Sequence, residues 1–177
     1  MKEVHIIGGG LAGSEAAHQL AKRGHKVILH EMRPTKYTEA HATENLGELV
    51  CSNSLKSESL TNSKGLIKEE MRHFDSLILD AAFKTRLKAG QALAVDRDAF
   101  SDAITKAIEA NPNIEIRREE VKTVPEGPVI IATGPLTSSD LKTSIEKYFD
   151  ETTLYFYDAM APIISEESIN MDICYKK

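Results

Sequence analysis

The 177-residue chain has no tryptophan and only two cysteines, Cys51 and Cys174. Two cysteines cannot form the disulfide framework of a small secreted domain, and their separation does not fit a metal site. Long apolar runs are also missing, since none approaches the ~20 residues of a membrane-spanning helix, and the N-terminus lacks the pattern of a signal peptide. We therefore expect a soluble, cytoplasmic protein with reduced thiols, no metal and no membrane association.

An overall basic charge is absent as well. The formal net charge is −5, which does not by itself indicate a nucleic-acid partner. Two local groups of basic residues are typical of solvated helix faces, namely Lys64, Lys68 and Arg72, and Lys84, Arg86 and Lys88. Hydrophobic residues make up 41% and charged residues 28% of the chain, a composition that indicates a globular domain and excludes general disorder.

A glycine motif follows the apolar run at residues 4–7. Gly8, Gly10 and Gly13 have the spacing G-x-G-x-x-G, and an alanine-rich helical pattern begins directly after them. In such a motif the first glycine allows a sharp turn, the second leaves room for a pyrophosphate, and the third lets the helix lie close to the strand. The helix N-terminus offers N–H groups and partial positive charge to the phosphates. We predict nucleotide contacts from Gly8, Gly9, Gly10, Leu11, Ala12 and Gly13.

A second strand and an acidic residue complete a βαβ pattern. Gly24 stands where a helix C-cap belongs, residues 27–29 are apolar, and Glu31 follows 18 residues after Gly13. A carboxylate at this position accepts hydrogen bonds from ribose hydroxyls and disfavours a 2′-phosphate, so the pattern favours FAD or NAD over NADP. The alternative is a glycine-rich turn followed by an ordinary surface glutamate.

The rest of the chain is predicted to form further helices and strands. Apolar residues recur at helical spacing from Ser63 to Ala82, which predicts one long helix. A second amphipathic helix is expected to begin at Asp96 or Asp98 and to end before Pro112. Residues 114–116 and 121–124 are predicted to be short strands.

A last predicted strand, at residues 128–135, is apolar and ends in a glycine turn. Ligands of doubly wound sheets bind at the carboxyl ends of strands, so Ala132, Thr133 and Gly134 are candidates for contact with the same dinucleotide. A plain strand-to-turn ending is the alternative. We expect this strand to be buried.

Residues 32–62 form a polar stretch without a clear period, and such long loops are often functional. It contains His41, which we leave unassigned, and Cys51, which lies in a Ser-Asn-Ser setting and leads towards helical sequence. A helix N-terminus there would favour a thiolate. An isolated loop cysteine is, however, more often inert than catalytic.

Several segments together resemble the FAD- and folate-dependent tRNA (uracil-5-)-methyltransferases. They occur in order along the whole chain at residues 7–17, 31–34, 48–55, 68–72, 92–97, 131–138, 157–158 and 161–163. The glycine motif is shared by many flavoproteins, whereas the segment around Cys51 and the run Ala-Val-Asp-Arg at residues 94–97 are more specific. Gln91 departs from the family pattern, which usually has a glycine there.

The resemblance implies an α/β, Rossmann-like FAD-binding fold that is incomplete in this chain. It divides the chain into an FAD-binding domain at residues 1–150 and the beginning of a second, substrate-side domain at 151–177. FAD is expected to contact the glycine motif, Glu31, Met32, Arg33 and the segment 132–134. Family members are longer, so we expect an N-terminal portion that has no methylation activity alone.

The implied reaction makes 5-methyluridine in the T-loop of tRNA. Methylenetetrahydrofolate supplies the carbon, and reduced FAD, regenerated by NAD(P)H, supplies the electrons. Because C5 of uracil is a weak nucleophile, attack of a cysteine thiolate at C6 would be needed to raise electron density at C5. The resemblance assigns Cys51 to this chemistry, either as the nucleophile or as the acid/base at C5.

Two other interpretations remain open from the sequence. The chain could belong to another two-substrate flavoprotein, such as the related enzymes that install carboxymethylaminomethyl groups on tRNA uridines, but the Cys51 segment argues against that assignment. Alternatively, the isolated chain is a non-catalytic, flavin-binding fragment.

Overall fold

The computed structural model describes residues 3–149, together with Asn170 and Ile173. In chain order the elements are β1 (Glu3–Ile7), α1 (Leu11–Lys22), β2 (Lys26–His30), β3 (Ser54–Ser57), α2 (Ser63–Arg72), α3 (Leu77–Lys84), β4 (Arg86–Leu87), β5 (Ala92–Val95), α4 (Arg97–Glu109), β6 (Ile114–Arg117), β7 (Val129–Ile131) and α5 (Ser139–Phe149). The predicted second domain, at 151–177, lies outside the described residues apart from those two, so the domain boundary stays a prediction.

Four parallel strands form the central sheet in the order β6-β2-β1-β7. The chain moves from β1 outward to β2 through α1, whereas β7 pairs with the opposite side of β1. This reversal leaves a crevice at the carboxyl ends of β1 and β7, which is where doubly wound folds bind their ligands. The βαβ start and the Rossmann-like α/β fold predicted from the sequence are confirmed.

Helices cover both faces of this sheet. On one face, Ile6 and Leu29 pack with Ala17 of α1 and with Phe100 and Ile104 of α4 in the main hydrophobic core. On the other face a smaller cluster joins β1 to α5 through the buried residues Ile7, Leu141 and Ile145. Covered on both sides, the inner strand β2 carries a continuous apolar run at residues 27–29, whereas β6, at the edge of the described sheet, alternates as Ile-Glu-Ile-Arg.

A second, antiparallel sheet in the order β3-β5-β4 is inserted between β2 and α4. Its central strand β5 contributes the buried residues Leu93 and Val95 to the main core. The antiparallel sheet and the parallel sheet thus share one hydrophobic core.

The single long helix predicted from Ser63 to Ala82 is wrong, because the structure has two helices, α2 and α3, with a break at residues 73–76. Asp75 in this break has φ of +52°, a left-handed conformation that a continuous helix cannot contain. In α2 only Gly65 is buried, whereas α3 buries most of its apolar residues. The apolar residues keep a helical spacing across the break, but those of α2 and those of α3 belong to two different packing surfaces.

Two expectations about strands are also wrong. Residues 121–124 form no strand, since Val121 and Val124 instead pack against the α5 cluster and the Val124 N–H donates to Ser144. Strand β7 exists, but Ile130 and Ile131 are 37% and 40% exposed, so it is not buried. The exposure follows from its place at the edge of the described sheet.

Other local predictions are confirmed. Asp96 is the N-cap of α4 and accepts a hydrogen bond from the Ala99 N–H at 2.9 Å. Gly24 follows the C-cap of α1 with φ of +81°, and residues 114–117 form β6. Over the described part of the chain, the helices are too short or too polar for any of them to traverse a bilayer.

Candidate dinucleotide site

The glycine turn joins β1 to α1 at the crevice in the sheet. Gly8 has φ of +103°, and a Cβ at this position would lie 2.7 Å from the carbonyl oxygen of Ala132. A Cβ on Gly13 would collide with the carbonyl oxygen of Gly8. Both glycines are therefore required by packing, since they let the turn approach the end of β7 and the first turn of α1.

Gly10 has a different environment. A Cβ on Gly10 would meet no atom within 4 Å, and Gly10 lines the cavity beside the turn. Gly10 is also the N-cap of α1, with no side chain to occupy the first N–H groups of the helix. The cavity thus has room for a phosphate group where these N–H groups and the positive end of the helix dipole meet.

Glu31, directly after β2, is 6% exposed and lies beside the glycine turn. Its Oε2 atom accepts a hydrogen bond from the Gly9 N–H at 2.9 Å, and its Oε1 atom accepts from the backbone N–H and the Nε of Arg33. Burial alone would raise the pKa of Glu31, but the hydrogen bonds and charge of Arg33 outweigh this effect and lower it. The ionised carboxylate keeps acceptor capacity on Oε2 for a ribose hydroxyl.

One cavity brings together most of the predicted nucleotide contacts. Its lining includes Gly8, Gly9, Gly10, Glu31, Met32, Arg33, Ala132 and Thr133. Four of the predicted residues are outside the lining: Leu11 and Ala12 begin α1, Gly13 packs beneath Gly8, and Gly134 begins a 3-10 turn with φ of +63°. The carboxyl ends of β1, β2 and β7 therefore share one cavity, as the doubly wound topology requires.

A buried ion-pair network attaches the polar loop to this cavity. Arg33 is 1% exposed, and it donates from Nε to Glu31 at 2.9 Å and from Nη1 to Glu48 at 2.6 Å. The Gly47 N–H also donates to the Gly9 carbonyl at 2.8 Å. Two carboxylates thus compensate the guanidinium, and the loop is held against the glycine turn.

Cys51 is exposed and is not part of the cavity lining. It lies between two anchored segments, since Leu49 is buried in the core and the Asn53 carbonyl accepts the Val95 N–H at 2.9 Å. The expectation that helical sequence follows Cys51 is wrong, because the next element is strand β3. No helix N-terminus therefore directly follows Cys51.

The sequence analysis missed several residues of the cavity. They lie in the polar loop, at the end of β2 and after β6 and β7, and include His30, Thr38, His41, Glu119, Glu120, Val121, Thr137 and Ser138. His30 stacks on His5 and lies 3.1 Å from Glu119, and burial lowers its pKa despite the neighbouring carboxylate. Most of these residues follow a parallel strand in the chain. That position predicts a residue of the cavity only when the order of the strands in the sheet is known.

Among the described residues, no group of three or more His, Cys, Asp or Glu side chains is arranged to hold a metal ion.

The family model described as "Glucose inhibited division protein A" matches residues 3–177 of this chain. The chain belongs to this family. The match extends over the glycine turn, the Glu31 segment and the polar loop, so the residues that line the cavity all lie within the family's region of similarity.

Curated relatives agree with this assignment. The chain is 55% identical over 174 residues to the methylenetetrahydrofolate–tRNA-(uracil-5-)-methyltransferase TrmFO of Bacillus pumilus, and the alignment covers 98% of the chain and 40% of the relative. It is 57% identical over 176 residues to TrmFO of Listeria monocytogenes, covering 99% of the chain and 41% of the relative. The chain spans about two fifths of the length of these relatives.

A solved structure shows the same fold at low sequence identity. NikD, an amino acid oxidase of nikkomycin biosynthesis, aligns with a TM-score of 0.50 and 14% identity over 81% of this chain and 54% of its own. This likeness supports the Rossmann-like architecture alone.

Proposed function

We propose that this chain is the FAD-binding part of a methylenetetrahydrofolate–tRNA-(uracil-5-)-methyltransferase. The observation that carries the proposal is the cavity in which the open space beside Gly10 and the Glu31 carboxylate lie at adjacent strand ends. The more than 50% identity to TrmFO relatives gives the reaction class. When bound, FAD supplies the electrons that reduce the transferred carbon to a methyl group.

The residues present fit the adenosine-diphosphate portion of FAD. The N–H groups at the start of α1 face the place for the pyrophosphate, and Gly10 leaves it unobstructed. Glu31 receives a ribose hydroxyl, and its ionised carboxylate disfavours a 2′-phosphate at the same position. Met32 and Thr133 are also part of the lining.

Cys51 is the catalytic candidate of this chain. Its exposure makes the thiol accessible to a large substrate such as the T-loop of tRNA, and the two anchors on either side of it limit its movement. The proposed role is covalent attack at C6 of uridine or proton transfer at C5. Folate and NAD(P)H are the proposed co-substrates, and the cytoplasm is the proposed location.

The FAD part is tested by the absorption spectrum of the purified chain before and after addition of FAD. The expected result is a retained flavin spectrum after removal of free ligand, and its loss in Gly10→Val, whose side chain would occupy the phosphate position. A wild-type chain that retains no flavin would contradict this part of the proposal.

The tRNA part is tested separately, by deleting the encoding gene in its organism and analysing tRNA nucleosides by mass spectrometry. The proposal expects loss of 5-methyluridine from the T-loop. An unchanged 5-methyluridine content would contradict it, and loss of a carboxymethylaminomethyl uridine instead would favour the alternative flavoprotein class.

A further inference from the structure

His41 lies in the polar loop and lines the same cavity as the glycine turn and Glu31. The side chain is half-buried, and Thr38 stands beside it in the cavity lining. Neither residue has a role in the proposed function. Their geometry nevertheless places an imidazole ring, paired with a hydroxyl, at the cavity.

The Nδ1 atom of His41 contacts the hydroxyl of Thr38. The Thr38 Oγ1 atom lies 2.6 Å from Nδ1, and it also accepts a hydrogen bond from the Ala40 N–H at 3.3 Å. A hydroxyl accepts up to two hydrogen bonds and donates one, so Thr38 can either donate to Nδ1 or accept from it. When Thr38 donates, neutral His41 carries its proton on Nε2.

The Nε2 atom is free to bind a ligand. It makes no hydrogen bond within residues 3–149. Among the described residues, every side-chain nitrogen or oxygen that is completely buried has a hydrogen-bond partner. Nε2 is therefore not completely buried by the described residues. An N–H donor in the wall of a ligand cavity is a group that a ligand oxygen can satisfy.

The loop segment that carries His41 is fixed by the buried ion pair. Glu48 accepts hydrogen bonds from the Ala42 N–H at 3.0 Å and the Thr43 N–H at 3.2 Å, directly after His41. Arg33 in turn donates to the Thr43 carbonyl at 3.0 Å. The donor is thus held in place before a ligand arrives, which reduces the entropy lost on binding.

The surrounding charges keep the imidazole neutral. Burial and the positive charge of Arg33 lower the pKa of His41, and these effects outweigh the opposing charges of Glu48 and Glu31. At pH 7 the ring therefore presents one N–H donor without a positive charge.

We propose that Thr38 donates its hydroxyl proton to Nδ1 of His41, and that His41 donates its Nε2–H to an oxygen of the ribose–pyrophosphate segment of the bound dinucleotide. The inference rests on the proposed FAD site and adds to it a residue from the polar loop. The polar loop, which also contains Cys51, would then contact the cofactor through the His41 side chain.

The test compares two substitutions of His41 whose side-chain amide nitrogens take the places of the two different ring nitrogens. In His41→Gln the amide nitrogen takes the place of Nε2, whereas in His41→Asn it takes the place of Nδ1. We expect His41→Gln to bind FAD with near wild-type affinity and His41→Asn to bind about tenfold more weakly, as measured by flavin fluorescence. Titrations with ADP and with adenosine then distinguish a phosphate oxygen, which only ADP provides, from a ribose oxygen, which both provide.

A second measurement uses the wild-type chain and does not depend on how His41→Asn folds. In wild-type chain with 15N-labelled histidine, the His41 ring signals, assigned by their absence in His41→Gln, are expected to show a protonated Nε2 that shifts when FAD is added. A proton on Nδ1, or wild-type affinity in a folded His41→Asn chain, would overturn this inference alone. A wild-type chain that does not bind FAD would contradict the proposed function as well.

Discussion

At the scale of single residues, the glycines of the turn have separable roles. Gly13 is required by packing, because a Cβ there would collide with the Gly8 carbonyl, whereas a Cβ on Gly10 would enter open cavity. A substitution to alanine therefore distinguishes a structural glycine from a ligand-binding one. The two positions form a matched pair within one motif.

We predict that Gly13→Ala lowers the free energy of unfolding by about 2 kcal/mol, the usual cost of overpacking. Gly10→Ala should leave the free energy of unfolding nearly unchanged but weaken FAD binding by about tenfold or more, since its methyl group takes the space for the pyrophosphate. Urea unfolding and flavin titration of both variants check this. Equal loss of stability in the two variants would contradict the distinction.

A second residue-scale prediction concerns acid sensitivity. The pKa of Glu31 is lowered from its ordinary value of 4.5, so its contribution to stability is present above pH 4.5 and is lost as the pH falls through the folded-state pKa. Glu31→Gln should reduce the free energy of unfolding at pH 7 by about 2 kcal/mol, because hydrogen bonds to an ionised partner are replaced by neutral ones. Its stability should also decline less steeply on acidification.

The control for Glu31 is Glu69→Gln, which removes an exposed ion pair with Arg72 on α2. Exposed pairs contribute little, so this variant should differ from the wild-type chain by less than about 0.5 kcal/mol. Unfolding measured between pH 3 and pH 7 compares the chains. Parallel pH profiles for the wild-type chain and Glu31→Gln would refute the role given to Arg33.

At the scale of elements, the helix caps explain why α2 and α3 are separate. Ser76 caps α3 by accepting the Leu79 N–H, and its own hydroxyl donates to Glu15 of α1 at 2.8 Å. Asn62 caps α2 by accepting the Lys64 N–H at 2.9 Å, on a helix that buries only Gly65. The first cap is part of the interface between helices, and the second is on the surface.

We therefore predict that Ser76→Ala lowers the free energy of unfolding by about 2 kcal/mol, because the Glu15 carboxylate loses a partner together with the cap. Asn62→Ala should cost about 0.5 to 1 kcal/mol, the ordinary value for an exposed cap. Chemical unfolding with far-UV circular dichroism gives both values. A larger cost for Asn62→Ala would show that α2 contributes more to the fold than its burial suggests.

At the scale of the whole molecule, the cavity joins the ends of several strands with the polar loop. A ligand that binds there contacts parts of the chain that are far apart in sequence and only the folded state brings together. By mass action, FAD at a hundred times its dissociation constant should stabilise the chain by about 2.7 kcal/mol. For a domain of this size, the melting temperature should rise by about 5 to 10 °C.

Differential scanning fluorimetry over a range of FAD concentrations measures this shift, with Gly10→Ala as the variant whose shift should be about half as large or smaller, because its affinity is at least about tenfold lower. A melting temperature that does not depend on FAD concentration, in a chain that unfolds cooperatively, would contradict a preformed site.

Local signals in the sequence were sufficient for the first βαβ unit. The glycine spacing, the apolar strands and Glu31 lie within one stretch of chain, so local preferences and the tertiary fold favour the same structure there. They were not sufficient for α2 and α3, because the left-handed Asp75 interrupts a continuous apolar period. Residues 121–124 were misassigned because their valines pack on α5 instead of pairing with a strand.

The sequence by itself determined the glycine turn after β1, the acid that follows β2 and the family to which the chain belongs. Only the tertiary structure decided which distant residues join them, because the order β6-β2-β1-β7 and the buried Arg33 depend on contacts that no local pattern encodes. The buried guanidinium of Arg33 pairs with Glu31, two residues before it in the chain, and with Glu48 of the polar loop. Glu48 also accepts from the Ala42 and Thr43 N–H groups, so this long-range pairing holds the segment next to His41.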